Sequence, residues 1–369
     1  MIKKISILLS KITRVFSIFS SEYILVCKLD SIGDYILFRN FLLPFKKTSF
    51  VQNKKILLVA NSSWKSIYEK YDNEFAEKVI WVNVERIIKN RAYRLLILLK
   101  LNCFKIHTVV QPTFSRDSIV DFLLLSLSSK RKISQKGDDL NYLTEFKLAA
   151  DQKYDTLINE ASRNQFEFDR NRNFFSQLDK SLSNIQLDLP FKKSVVEKKY
   201  ISFFIGASAT FRQLSLDNLL FIIKQLLDFT DFEIIILGGK RELEHGEILS
   251  GISPRVVSQC GRTTLVDTID LIGNSKAVLT MDSSGLHMAM ASKVAKVFCF
   301  SNGNHIFRFV PYPESYKQLK VFFPPLIQKN LSSEKETLYQ SFSRGSVIPI
   351  NTIDFKSHVE EIINELNAI

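Results

Sequence analysis

Cysteine is scarce. The four residues Cys27, Cys103, Cys260 and Cys299 are scattered without metal-ligand spacing, and at least two sit in apolar, strand-like runs. This excludes a disulfide framework and points to a reducing compartment. No stretch supplies the roughly 20 apolar residues that a spanning helix needs. The five histidines form no HExxH pair and no carboxylate–histidine cluster, so no protein-bound metal is expected. A GxGxxG follows neither candidate first strand, which disfavours a dinucleotide-dependent oxidoreductase. Zinc-ligand spacing, RNP-like segments and helix-turn-helix signatures are missing too, so nucleic acid is not expected as a partner. Acidic residues are outnumbered, 38 against 50 basic ones, and the net charge of +12 calls for an anionic partner such as a phospholipid surface or a phosphorylated substrate.

What is present describes a globular chain. At 369 residues, 46% hydrophobic and 24% charged, it exceeds the usual single domain and suggests two. Residues 1–20 carry Lys3, Lys4, Lys11 and Arg14 and no acid. On a helix these fall opposite Ile5, Leu8, Leu9, Ile12, Phe16 and Phe19, which fits an interfacial helix on an anionic cytoplasmic leaflet or a helix docked on the protein's own body. Strand and helix patterns alternate over 21–150, with strands near 23–28, 54–60, 78–83, 106–111 and 131–134 and one long basic helix over 85–105. Residues 151–195 read as a connection containing an exposed helix over 165–181. A second α/β unit spans 196–350, with strands at 201–208, 233–239 and 278–281, and a helix closes the chain over 351–369. Such alternation implies parallel sheets covered on both faces, with ligands at the carboxyl ends of the strands.

Polar residues gather at those ends. After the first strand comes Leu29-Asp30-Ser31-Ile32-Gly33-Asp34, leading directly into a helix. Asp34 can accept a proton from an acceptor hydroxyl, or it can complement the helix dipole; Asp30 is read as a cap or dipole partner. Gly33, Arg116 and Arg131, the last in the Lys130-Arg131-Lys132 cluster, are candidates for holding an anionic acceptor. In the second unit, Ser208 with Arg212, Gly238-Gly239 with Glu242, and Asp282-Ser283-Ser284-Gly285-Leu286-His287 occupy three strand ends that a parallel sheet brings to one side. The last turn directs backbone N–H groups and a helix dipole at one spot, with Gly285 freeing the turn, and an arginine opposite makes a pyrophosphate clamp. Glu242 can accept from ribose hydroxyls. The alternative for Asp282 and Ser283 is simple helix capping.

The paired occurrence of LDSIGD, within ILVCKLDSIGDYILFRNFLLPFK (24–46), and DSSGLH, within CGRTTLVDTIDLIGNSKAVLTMDSSGLHMAMAS (260–292), resembles the heptosyltransferase-like glycosyltransferase family 9. IGASATFRQLSLDNLLFIIKQL, IIILGGKRELE and the segment around Gly303 follow that family's pattern in order, and FDRNRNFFSQL looks like its linker helix. The resemblance implies the GT-B architecture: two facing Rossmann-like domains, acceptor on the first and nucleotide sugar on the second. It implies inverting transfer of a sugar, typically heptose from ADP-heptose, onto a lipopolysaccharide core without an essential metal or other cofactor. By position, Asp34 matches the general base, Arg212 a basic residue near the donor phosphates, Glu242 the nucleotide-binding acid, and 282–287 the donor loop. The partners so implied are a nucleotide sugar, an anionic lipid-linked glycan and the inner face of the cytoplasmic membrane. Two departures leave another sugar or acceptor open: Gln213-Leu214-Ser215 replaces the family's usual Trp-Pro, and His107 stands where an Asp is usual. The reading from another class is a non-catalytic, membrane-associated glycan- or nucleotide-binding protein on the same fold.

Overall fold

A computed structural model describes residues 21–195 and 199–369; the amphipathic helix expected over 1–20 lies outside the described residues. The chain divides into two compact units. One runs to Arg163 and takes in Phe168–Gln186; the other consists of Asn164–Glu167 and Leu187–Ile369.

The first unit holds a six-stranded parallel sheet of β1 (Glu22–Lys28), β2 (Lys55–Asn61), β3 (Lys78–Val82), β4 (Lys105–Gln111), β5 (Arg131–Gln135) and β6 (Thr156–Ile158), in the order β3-β2-β1-β4-β5-β6. The second holds β7 (Tyr200–Phe204), β8 (Glu233–Leu237), β9 (Val256–Ser258), β10 (Ala277–Met281), β11 (Val297–Phe300) and β12 (Leu319–Phe322), in the order β12-β11-β10-β7-β8-β9. Central strands are apolar on both faces, because helices cover both: Ile24, Leu25 and Val26 of β1 and Ala277, Val278 and Leu279 of β10 are wholly buried. Each sheet has the doubly wound order in which the winding reverses between its first and fourth strands, β1/β4 and β7/β10. In both units the loops that leave those strands therefore open a crevice at their carboxyl ends.

Several expectations are corrected. The basic helix over 85–105 is two helices, Val84–Lys89 and Arg91–Asn102, because Asn90 leaves helical geometry and accepts from Tyr93 N at 2.9 Å as an N-cap. The segment expected to connect the two units, 151–195, opens with a further strand of the first sheet, β6, which follows a helix over Thr144–Asp151. The segment's own helix, Glu167–Leu178, is not exposed: Phe168, Phe174 and Phe175 are buried, Phe175 stacks on Phe41 at 5.2 Å, and Asn171 Nδ2 donates to Leu37 O at 3.0 Å. The closing helix is Phe355–Asn367, and its Val359, Ile362 and Leu366 join the second core.

Candidate active site

In the second unit, Arg212 spans the reversal point. It ends a short 3-10 turn after β7, donates through Nη1 to Asp282 O at 3.3 Å at the end of β10, and donates through Nη2 to Ser208 Oγ. One strand over, Glu242 is nearly buried. Its Oε2 accepts from Gly239 N at 2.8 Å, and its Oε1 accepts from Gln213 Nε2 at 3.1 Å. Gln213 Nε2 also donates to Ala207 O at 3.2 Å, tying the β7 and β8 loops together. Ser208, Arg212, Gly238, Glu242 and 282–287 thus all lie on loops and helix starts at the carboxyl ends of β7, β8 and β10.

The turn after β10 is not a capped helix start. Helix Ser284–Ala291 has Ser283 at its N-cap position, yet no side chain caps it, and Ser283 Oγ is buried without a hydrogen-bond partner, as is Arg212 Nε. Asp282 turns the other way, its Oδ2 accepting from Ser301 Oγ at 3.5 Å after β11. Burial pushes the Asp282 carboxyl up to about 6 despite the Arg212 charge and the Ser301 bond, which both favour the anion. The helix therefore presents free N–H groups and its dipole towards the guanidinium side of the crevice, an arrangement suited to anionic oxygens. Leu286 and His287 are buried. Burial, helped by Arg212, drives the His287 pKa down to about 3, so the ring is neutral at neutral pH; its Nδ1 shares a 2.7 Å hydrogen bond with Tyr312 Oη.

Gly285 serves a different purpose from the expected one. It lies within the helix, outside the left-handed region, and a Cβ there would stand 2.5 Å from Phe204 Cγ. The absent side chain lets the helix start close against the end of β7. Gly238 is similarly confined, since a Cβ at that position would stand 2.9 Å from Glu242 Cβ and 3.2 Å from Cys260 Sγ.

In the first unit, Gly33 and Asp34 lie in the short helix Ile32–Ile36 that follows β1, Asp34 in its first turn and half-buried. Asp30 is not a cap. Its carboxylate pairs with the buried Lys28 Nζ at 2.7 Å and accepts from Thr113 Oγ1 at 2.8 Å, joining the ends of β1 and β4. Asn61 Nδ2 and Trp64 Nε1 donate to Asp30 O at 3.0 and 3.1 Å and fix the loop that carries Asp34. Arg116, expected to meet an acceptor, is wholly buried. Its guanidinium pairs with Asp121 and Asp151 and lies 5.0 Å from the Tyr154 ring, so its charge is consumed inside the unit. Arg131 begins β5 and donates to Thr156 Oγ1 at 3.2 Å, which puts it at the amino end of the sheet, opposite the crevice. Lys28, Thr113, Ser301 and Tyr312 are not singled out by sequence, and Gln213 is noted there only as a departure from the family's pattern. All but Tyr312 could be sought as polar residues in or just beyond strand ends. Among the described residues, no group of three or more His, Cys, Asp or Glu side chains could hold a metal ion.

With this geometry in hand, comparison with known proteins is specific. The family described as glycosyltransferase family 9 (heptosyltransferase) matches residues 121–337, more than half of the chain. A family 9 glycosyl transferase from Veillonella parvula DSM 2008 superposes with a TM-score of 0.69 at 14% identity, covering 95% of this chain and 98% of its own. E. coli heptosyltransferase WaaC with ADP gives 0.66 at 15% identity, covering 93% and 99%. E. coli ADP-heptose lps heptosyltransferase II gives 0.59 at 14%, covering 94% and 99%. No curated protein sequence matches. At these identities the structural likeness is one of fold, the two Rossmann-like units of a GT-B-like architecture, and the sequence match carries the family. The chain belongs to glycosyltransferase family 9, the heptosyltransferase family.

Proposed function

We propose that the protein is an inverting, metal-independent glycosyltransferase that moves heptose from ADP-heptose onto a lipopolysaccharide core or a related lipid-linked surface glycan at the inner face of the cytoplasmic membrane. The observation that carries this reading is the uncapped helix Ser284–Ala291 facing the Arg212 side of the β7/β10 crevice. The donor diphosphate is assigned there, with Ser208, Ser283, Ser284 and the N–H groups of Ser284 and Gly285 around it and Glu242 accepting from the ribose hydroxyls. The choice of ADP-heptose follows the family and the ADP and ADP-2-deoxy-2-fluoro heptose seen with E. coli WaaC.

The first unit supplies the acceptor side. The Asp34 carboxylate takes the proton of the acceptor hydroxyl as its oxygen attacks the anomeric carbon, and the bond from that carbon to the diphosphate oxygen breaks on the opposite face. The negative charge gathering on the leaving diphosphate meets the helix N–H groups and the Arg212 guanidinium, which stabilise it electrostatically. Gly33 is assigned to the acceptor loop. Gln213, standing where the family usually has Trp-Pro and bound to Glu242, favours a second reading in which the donor is a different nucleotide sugar.

Asp34→Asn tests the base. Acceptor-dependent ADP release should fall by about 10²–10⁴-fold while ADP affinity, measured by calorimetry, stays within about twofold. Unchanged turnover would remove Asp34 from the role.

A further inference from the structure

The helices Val84–Lys89 and Arg91–Asn102 bury Ile87, Ile97, Leu98 and Leu101 in the first core. A second set of apolar side chains faces out: Ile88 is 49% exposed, Leu95 41% and Leu96 45%. Arg94 reaches back across the break at Asn90 to donate to Ile88 O at 3.4 Å and so ties the two helices together. Arg86, Lys89, Arg91, Arg94 and Lys100 surround the set, and Glu85, paired with Lys89 at 2.6 Å, is the only acid in 84–102.

We infer that this face is a docking surface for an anionic lipid bilayer. An apolar strip about two turns long, rimmed by cations, matches a headgroup layer in both respects: leucines enter the acyl boundary and guanidinium groups meet phosphates. Other occupants fit worse. A second copy would bring cations against cations. Residues 1–20 carry four cations and no acid and would do the same. Free nucleic acid would leave the leucines unused. The placement also serves the chemistry. The pair of helices starts at the carboxyl end of β3, the end of the sheet at which Asp34 follows β1, so an acceptor held in the bilayer is presented at the correct edge of this unit. Only that last step rests on the transferase reading; docking itself does not.

The test uses the full chain and extruded vesicles of phosphatidylcholine with or without phosphatidylglycerol, read by sedimentation. Binding should require phosphatidylglycerol. The double change Leu95→Ser with Leu96→Ser, and separately Arg91→Glu with Lys100→Glu, should each lower the partition coefficient by about tenfold or more, with unfolding curves that match the parent. Leu96→Trp should gain a blue-shifted emission on these vesicles, measured against the parent with its two tryptophans. Parent-like partition of both double variants, or no emission change at position 96, overturns the inference. So does a patch variant that converts a dimer to a monomer while vesicle binding persists, since that makes the face an interface between copies. A failure of ADP to raise the melting temperature of the parent would count against the donor assignment and leave the vesicle result standing.

Discussion

Asp282 gives the turn after β10 a distinctive pH response. Its carboxyl titrates near 3.8 in an unfolded chain and about 6 in the fold, so the folded state holds the proton more tightly. The penalty for a buried carboxylate is absent below pH 3.8, grows as pH rises through the window to about 6, and is constant above it. Asp282→Asn, which keeps an acceptor for Ser301, should therefore stabilise the ligand-free protein at about pH 8 by up to about 3 kcal/mol and leave it unchanged at about pH 3.5, measured by denaturant unfolding. His287 acts in the opposite sense: being buried and neutral, it loses stability for the fold as pH falls below 6.5. Gly285 is the steric counterpart. Gly285→Ala forces a methyl into Phe204 and should cost about 1–3 kcal/mol, with weaker ADP binding because the helix start is displaced.

Elements with uninterrupted apolar runs are the legible ones. β10 and the helix Leu265–Gly273 coincide with their sequence patterns, since Val278 to Met281 are buried on both faces and Thr264 with Asp267 makes a reciprocal cap. Three-residue strands such as β6 and β9 carry too little pattern to be seen and exist because a neighbouring strand offers an open edge. The helix Glu167–Leu178 reads as exposed in sequence because Asn, Arg and Asp separate its phenylalanines; Asn171 and Arg170 are buried through a bond to Leu37 O and a stack on the Phe114 ring at 3.8 Å. Within the site, the acid, the arginine and the turn are visible at strand ends, whereas the bond from Gln213 to Glu242 depends on two loops distant in sequence. Phe175 packs on Phe38, Phe41, Phe45 and Phe174. Phe175→Ala should lower stability by about 3–5 kcal/mol in thermal or denaturant unfolding, a loss that a solvent-facing helix would not produce.

At the scale of the whole molecule, the same winding occurs twice, and each occurrence opens a crevice where its order reverses. Basic charge is in excess, and among the described residues no helix is long and apolar enough to cross a membrane. The path of the chain has a further consequence. After Arg163 it contributes Asn164–Glu167 to the second unit, returns for Phe168–Gln186 to the first, and then leaves for good. The two units are accordingly not interchangeable cassettes. A recombination point near residue 163 would strip Phe38, Phe41 and Phe45 of their aromatic cover, so chimaeras that exchange the two units must carry the 168–186 segment with the amino-terminal parent, and productive crossovers should fall after Gln186.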